Sequence, residues 1–146
     1  MTRVHHSAIQ ARDLDTSVRF YRDGLGLEVL MDHEFDGDWR TLFGVHADRL
    51  HSVFLGDPAM PDAGIVELVT FADDAHGGVG TDASDPPRFG FFLLSFFVDV
   101  DATLGRLADL GFDAPARRIR VPGPGGDVEM ATVRDPDGVL VELIGT

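Results

Sequence analysis

The 146-residue chain contains neither cysteine nor lysine, so all 12 of its basic side chains are arginine. The lack of cysteine excludes disulfides, thiol nucleophiles and thiolate metal ligands. The lack of lysine excludes Schiff-base chemistry, covalent attachment of pyridoxal phosphate and a phosphate-loop lysine. Enzymes that depend on any of these groups are therefore not candidates.

Positive charge is also scarce, because 25 acidic residues outnumber the 12 arginines and give a formal net charge of −13. Such a surface repels phosphate, which argues against nucleic-acid binding and against anionic membranes. The most apolar run, residues 89–100, is shorter than the ~20 residues that cross a bilayer, and the N-terminus has no apolar leader pattern. We therefore expect a cytoplasmic protein with one globular domain over residues 1–146.

An internal repeat organises the sequence. Each half begins with a strand-like stretch that leads into an Asp-x-Asp motif, at residues 13–15 and 99–101. A helical pattern follows in both halves and ends at a glycine. Glycine is favoured there because the residue that ends a helix often has a left-handed backbone conformation. Each half then closes with a short apolar run around one glutamate, at residues 65–69 and 140–144. Four landmarks in the same order indicate a true duplication.

The duplication predicts an α+β fold of two βαβββ modules that form an open, curved mixed sheet around a cavity. The modules are expected at residues 1–72 and 89–146, with an acidic linker at residues 73–88 between them. The middle strands have a fainter pattern. They are expected near residues 27–35, 50–55, 117–120 and 128–134.

Glu67 and Glu142 are the strongest functional candidates, because each lies in an apolar strand with apolar neighbours on both faces. We expect both carboxylates to be buried, and a buried carboxylate needs a metal, an arginine or a raised pKa. Their equivalent positions in the repeat would direct them into one cavity. His6 lies on the first strand, and one imidazole with two carboxylates suits Zn, Fe, Mn, Ni or Mg.

Two longer motifs carry a family resemblance. They are SVRFYRDGLGL at residues 17–27 and RDPDGVLVEL at residues 134–143. With the spacing from His6 to Asp13, they make the chain resemble the vicinal-oxygen-chelate superfamily, which includes glyoxalases, bleomycin-resistance proteins and dioxygenases. The resemblance covers nearly the whole chain and implies the paired-module fold, a small-molecule substrate or ligand, and a homodimer.

The resemblance also implies a metal site at four strand positions, which here are His6, Glu67, Phe92 and Glu142. Phenylalanine cannot bind a metal, so this position departs from the family pattern and argues against an extradiol dioxygenase. Phe92 would instead form an apolar wall. A replacement ligand from a middle strand, His33 or His51, is a weaker alternative.

The favoured function is a glyoxalase-like, metal-dependent lyase or isomerase that acts on a small apolar or aromatic carbonyl substrate. His6, Glu67 and Glu142 would hold the metal, and Glu142 or Glu67 would also act as the catalytic base. The residues expected to contact the substrate are Phe92, Trp39 and Phe54.

Two alternatives stay open. The first is a metal-free protein that binds and sequesters an antibiotic, as in the bleomycin-resistance branch, which requires an apolar cavity but no catalytic group. The second is a metal-free catalyst in which His6 and a glutamate form an acid–base pair. The sequence does not separate this second alternative from the metal-dependent enzyme.

Overall fold

Two four-stranded mixed sheets, one from each half of the chain, form the framework of the protein. The first contains strands β1 (His6–Gln10), β2 (Glu28–Asp36), β3 (Arg49–Gly56) and β4 (Ile65–Phe71). The second contains strands β5 (Leu94–Val98), β6 (Arg117–Gly123), β7 (Gly126–Arg134) and β8 (Leu140–Gly145). The computed structural model describes residues 2–72 and 90–146, so the predicted linker at residues 73–88 lies outside the described residues.

The strand order is the same in both sheets, namely β1-β4-β3-β2 and β5-β8-β7-β6. In each sheet the first and last strands of the module pair in parallel, and the remaining pairs are antiparallel. This shared topology confirms the α+β fold of two βαβββ modules. Strands β6 and β7 are joined by a tight hairpin, in which Gly123 pairs with Gly126.

Helices follow the first strand of each module, as the repeat predicts. In the first module, helix α1 (Leu14–Val18) continues as a π-helical segment (Arg19–Gly24). This module also contains a short helix, α2 (Trp39–Phe43), that the repeat does not predict. The helix of the second module is α3 (Val100–Asp109). Aspartates cap the two repeated helices, because Asp13 accepts the Thr16 N–H and Asp99 accepts the Ala102 N–H. None of the described helices is long and apolar enough to cross a bilayer.

One face of each sheet packs into a core that both modules share. Strand β4 contributes Val66 and Leu68 to this core, and β8 contributes Val141 and Leu143. Because successive strand residues point to opposite faces, the glutamate in the middle of each strand faces away from this core. The opposite face of each sheet is therefore the one that can carry a site.

The modules contact each other through their helices. The rings of Phe20 and Phe112 lie 5.4 Å apart, and Arg106 Nε donates to the carbonyl of Gly24 at 3.1 Å. A Cβ on Gly24 would collide with Leu107, so only glycine allows this approach. The helices pack in the shared core, so Glu67 and Glu142 lie on the faces of their sheets that point away from it.

A buried hydrogen bond joins the same two modules. The Tyr21 hydroxyl donates to Asp135 Oδ2 at 2.7 Å, and Asp135 Oδ1 accepts the N–H groups of Asp137 and Val139. Burial and the neighbouring Asp135 raise the pKa of Tyr21, and burial also raises the pKa of Asp135. Tyr21 is fully buried and packs in the core, so it serves the fold.

Candidate active site

A cavity of about 690 Å³ opens on the face of the first sheet that carries Glu67. This volume is typical of sites for small organic molecules. Its walls come from all four strands of the first sheet and from α2. The lining residues are His6, Ala8, Gln10, Met31, Phe35, Trp39, Phe43, Val45, Leu50, Ser52, Phe54, Glu67, Val69 and Phe71.

One end of the cavity, which we name the polar end, is formed by His6, Ser52 and Glu67. His6 Nε2 lies 3.1 Å from Glu67 Oε2, and the Ser52 hydroxyl donates to Glu67 Oε1 at 2.7 Å. The strand register explains the contact, because Ala8 lies beside Glu67 and His6 shares the face of Ala8. Both oxygens of Glu67 are thus engaged, which fixes the carboxylate in one orientation.

Glu67 is partly buried, and 15% of its side chain remains exposed, so the expected burial is incomplete. The reason is that the cavity opens to solvent beside it. Glu142 is likewise only half-buried, on the open face of the second sheet. A half-buried carboxylate keeps part of its hydration and can still bind a ligand or a proton.

The polar end has the chemistry of half a metal site. The two atoms lie 3.1 Å apart, so both are close enough to bind one ion. An imidazole and a carboxylate are ligands that Zn, Fe, Mn and Ni accept. Within residues 2–72 and 90–146, however, no three His, Cys, Asp or Glu side chains form a group that could hold a metal.

Glu142 occupies the matching position on the second sheet but does not line the cavity. The Ser95 hydroxyl donates to Glu142 Oε2 at 2.7 Å, and the two residues are neighbours in the β5–β8 register. A single chain therefore brings His6 and Glu67 together and leaves Glu142 on a separate face. This differs from the expectation that one chain directs both glutamates into one cavity.

The register also corrects the position that corresponds to His6. His6 lies beside Ile65, two residues before Glu67, whereas Leu94 lies beside Val141, one residue before Glu142. The counterpart of His6 is therefore Leu93 rather than Phe92. The first module has one more residue between its strand and the Asp-x-Asp motif, which shifts an alignment made on that motif. Like Phe92, Leu93 cannot bind a metal.

The opposite end of the cavity, which we name the aromatic end, consists of Phe35, Trp39, Phe43 and Phe71. The Trp39 and Phe43 rings stack at 5.8 Å with an angle of 12°, and Phe71 contacts Phe43 edge-on at 6.1 Å. Trp39 Nε1 donates to the carbonyl of Phe35 at 3.2 Å, which fixes the indole. A flat apolar wall results.

Of the three residues predicted to contact the substrate, two line the cavity and one does not. Trp39 and Phe54 line the cavity, and the Phe54 ring lies 5.3 Å from the His6 ring. Phe92 does not line it, and more than half of its surface is exposed. His51 does not line it either, because His51 Nε2 contacts Asp32 Oδ1 at 2.5 Å, and His33 stands beside Phe35 without lining it.

Sequence reasoning missed the two serines that hold the glutamates. Ser52 is almost fully buried within the apolar stretch of β3, and Ser95 interrupts a run of apolar residues in β5. A lone hydroxyl in an apolar strand requires a hydrogen-bond partner, and that requirement was the available signal. The contact of His5 Nδ1 with His6 Nδ1 at 2.8 Å was also missed.

Comparison with known proteins identifies the relatives of this fold. The family model of the Glyoxalase/Bleomycin resistance protein/Dioxygenase superfamily matches residues 3–143. A lactoylglutathione lyase-like protein of Aspergillus terreus is 40% identical over 97% of this chain and 74% of its own length. A probable lactoylglutathione lyase of Synechocystis is 31% identical over 97% of this chain and 93% of its own length.

Solved structures agree on the fold. A glyoxalase family protein from Bacillus cereus superposes with a TM-score of 0.73 at 18% identity, over 99% of this chain and 94% of that chain. The family match over nearly the whole sequence agrees with the duplicated sheets and with the glutamate on the open face of each. The chain therefore belongs to the glyoxalase/bleomycin resistance protein/dioxygenase superfamily.

Proposed function

We propose that the protein is a metal-dependent lyase or isomerase that acts on a small carbonyl substrate with an apolar or aromatic body. The observation that carries the proposal is the His6–Glu67 pair at the polar end of an otherwise apolar cavity. Relatives named as lactoylglutathione lyases support the reaction class. They favour a lyase over a metal-free protein that sequesters an antibiotic.

The metal site we propose is completed by Glu142 of a second copy. The open face of the second sheet carries large exposed apolar side chains beside Glu142, with Phe97 77% and Ile119 60% exposed. The strand register places both on that face, because Phe97 lies two residues from Ser95, and Ile119 pairs with Met130. Exposed apolar patches of this kind are typical of interfaces.

A two-fold dimer would set the first sheet of one copy against the second sheet of the other. Such an interface is isologous, so it forms two equal sites at once. Each site would combine His6 and Glu67 from one copy with Glu142 from the other. The arrangement supplies the third ligand that the described part of a single chain lacks.

The two glutamates have different surroundings, which suggests different roles. Both oxygens of Glu67 are held, by His6 and by Ser52, so this carboxylate suits a fixed ligand. Glu142 accepts one hydrogen bond from Ser95 at Oε2, and its Oε1 has no partner among the described residues. We assign Glu142 the role of catalytic base, which would take a proton from the carbon next to the substrate carbonyl and return it to a neighbouring atom.

The rest of the cavity orients the substrate for that proton transfer. Phe54 lies over the His6 ring, and Trp39 closes the far end, so an apolar body can fill the space between them. A divalent metal, when bound, supplies a Lewis acid that stabilises negative charge on the substrate oxygen. Zn, Fe, Mn, Ni and Mg all fit one imidazole with two carboxylates.

Metal content tests the proposal. Protein purified without an affinity tag or chelator is incubated with each ion in turn, freed of loose metal and measured by elemental mass spectrometry. We expect about one equivalent of one divalent ion per chain, and loss of that ion in the His6→Ala, Glu67→Ala double variant. His46→Ala is the matched control, because His46 is a histidine of the same module that does not line the cavity. Absence of metal under every condition would refute the proposal.

A further inference from the structure

We propose that the aromatic end of the cavity binds a planar aromatic ring of the substrate, and that the substrate needs no glutathione carrier. The inference rests on the proposed function, because it specifies the substrate class of the same site. It concerns binding alone, so it can be tested without turnover. Three features of the cavity lead to it: the shape of the aromatic end, the position of the polar end, and the lack of arginine among the described lining residues.

The aromatic end presents a rigid flat surface. Trp39 is held on one side by its stack on Phe43 and anchored by its hydrogen bond to the Phe35 carbonyl. Gly37 contributes to this placement, because a Cβ there would lie 2.8 Å from the indole ring. A fixed indole loses little conformational freedom when a second ring stacks against it, so planar ligands are favoured over flexible ones.

The polar groups lie at the other end of the same cavity. His6, Glu67 and Ser52 are in direct contact there, and Phe54 covers the His6 ring. Apolar side chains such as Met31, Leu50 and Val69 form the walls between the two ends. A ligand that matches this arrangement has oxygen atoms at one end of a flat apolar body. An aromatic ketone with a neighbouring hydroxyl has that form.

Glutathione does not match the lining. The tripeptide carries two carboxylates at neutral pH, and carboxylates are normally bound by arginine or lysine. None of the described residues that line the cavity is Arg or Lys. Arg49, on β3, is paired with Asp36 at 2.9 Å, and the net charge of −13 repels an anionic ligand at long range.

The second copy could supply a cation, since Arg117 and Arg134 both lie on the open face of its second sheet, and that possibility enters the test. The β6–β7–β8 register places Arg117 beside Thr132 and Thr132 beside Glu142, on the open face of the second sheet. In the proposed dimer this arginine would approach the cavity together with Glu142. A variant at Arg117 therefore shows whether a carboxylate of the tripeptide is bound there.

The experiment compares two stable probes on the full chain. The aromatic probe is 1-hydroxy-2-acetonaphthone, and the tripeptide probe is S-methylglutathione. Trp39 is the only tryptophan in the chain, so its fluorescence, corrected for absorption by the probe, reports occupation of the cavity directly. Calorimetry gives the dissociation constants for variants that lack the tryptophan. Trp39→Ala is compared with Leu42→Ala, a change on the same helix at a residue that is 66% exposed and does not line the cavity.

We expect the naphthone to bind at least tenfold more tightly than S-methylglutathione. Trp39→Ala should raise the Kd for the naphthone about tenfold, as expected for loss of one stacking partner, while Leu42→Ala should leave it unchanged. Equal or tighter binding of S-methylglutathione, above all if Arg117→Ala abolished it, would overturn the inference. So would naphthone binding that is insensitive to Trp39→Ala. A protein that binds the naphthone but contains no metal would refute the proposed function and support the inference.

Discussion

Mixing two variants that each lack one carboxylate tests whether the site is shared between copies. In Glu67→Ala the first sheet of each copy loses a ligand, and in Glu142→Ala the second sheet does. Each variant alone would therefore have one missing ligand in both sites of its dimer. In a mixed dimer both losses fall in the same site, and the other site regains His6, Glu67 and Glu142 together.

The size of the recovery follows from the geometry. Random exchange of chains makes about half of the dimers mixed, and each mixed dimer has one complete site out of two. Metal content should then return to about a quarter of the wild-type value. Chains are exchanged by brief unfolding in urea and refolding, loose metal is removed, and bound metal is counted by elemental mass spectrometry. Each variant refolded with itself is the control.

The reasoning fails if the refolded mixture contains only the average of the two separate variants. That outcome would mean that each site lies within one chain, and Glu142 would then need a route to the cavity that the described residues do not show. Recovery far above a quarter would equally contradict the shared site. Size-exclusion chromatography of the same samples shows whether mixed dimers formed at all.

Three further predictions concern the packing between the modules. Tyr21→Phe leaves the buried Asp135 without its hydroxyl donor and should lower the free energy of unfolding by about 1–3 kcal/mol in urea titrations. Burial raises the pKa of Asp135, so its contribution to stability is largest at low pH and is lost as the pH rises. The wild type should therefore gain stability relative to Asp135→Asn as the pH falls from about 7 to about 4. Gly105→Ala, which meets open space in α3, should raise Tm, whereas Gly24→Ala should lower it by displacing Leu107. A higher Tm for Gly24→Ala would contradict the described helix contact.

Much of the fold could be predicted because the duplication repeats each signal. The strand around Glu67 and the strand around Glu142 have the same alternation, and both form as expected, with Val66 and Val141 buried behind them. Strand patterns of this kind depend only on residues that are close together in the chain, so a single sequence is enough to predict them.

The parts that could not be predicted depend on contacts between distant segments. The offset that makes Leu93, rather than Phe92, the counterpart of His6 is visible only in the pairing of β5 with β8. The sequence symmetry also does not reveal which faces the two sheets turn toward each other, because either arrangement repeats the same motifs. Within one chain the shared core, which includes the contact of Phe20 with Phe112, lies on the faces opposite Glu67 and Glu142.

Helix α2 could be predicted only in part. Asp38 accepts the Thr41 N–H at its start, and Gly44 ends it with a φ of 72°, so both terminal signals are present in the sequence. Only five residues separate them, however, which is too short for a helical period to show. The aromatic end of the cavity was therefore expected only in part, through Trp39.

The residues that line the cavity have a chemical consequence for any carbonyl compound held there. Aldehydes condense with amines, 1,2-dicarbonyls modify guanidinium groups, and electrophilic enones alkylate thiols. The chain has no lysine or cysteine at all, and the lining residues described in one chain include no guanidinium. Within one chain, the described lining offers such a carbonyl imidazole, carboxylate, hydroxyl, amide, thioether, indole and hydrocarbon groups. Among these groups the imidazole of His6 is the main nucleophile, so the amine and thiol adducts that such compounds commonly form have no partner in this chain's side chains.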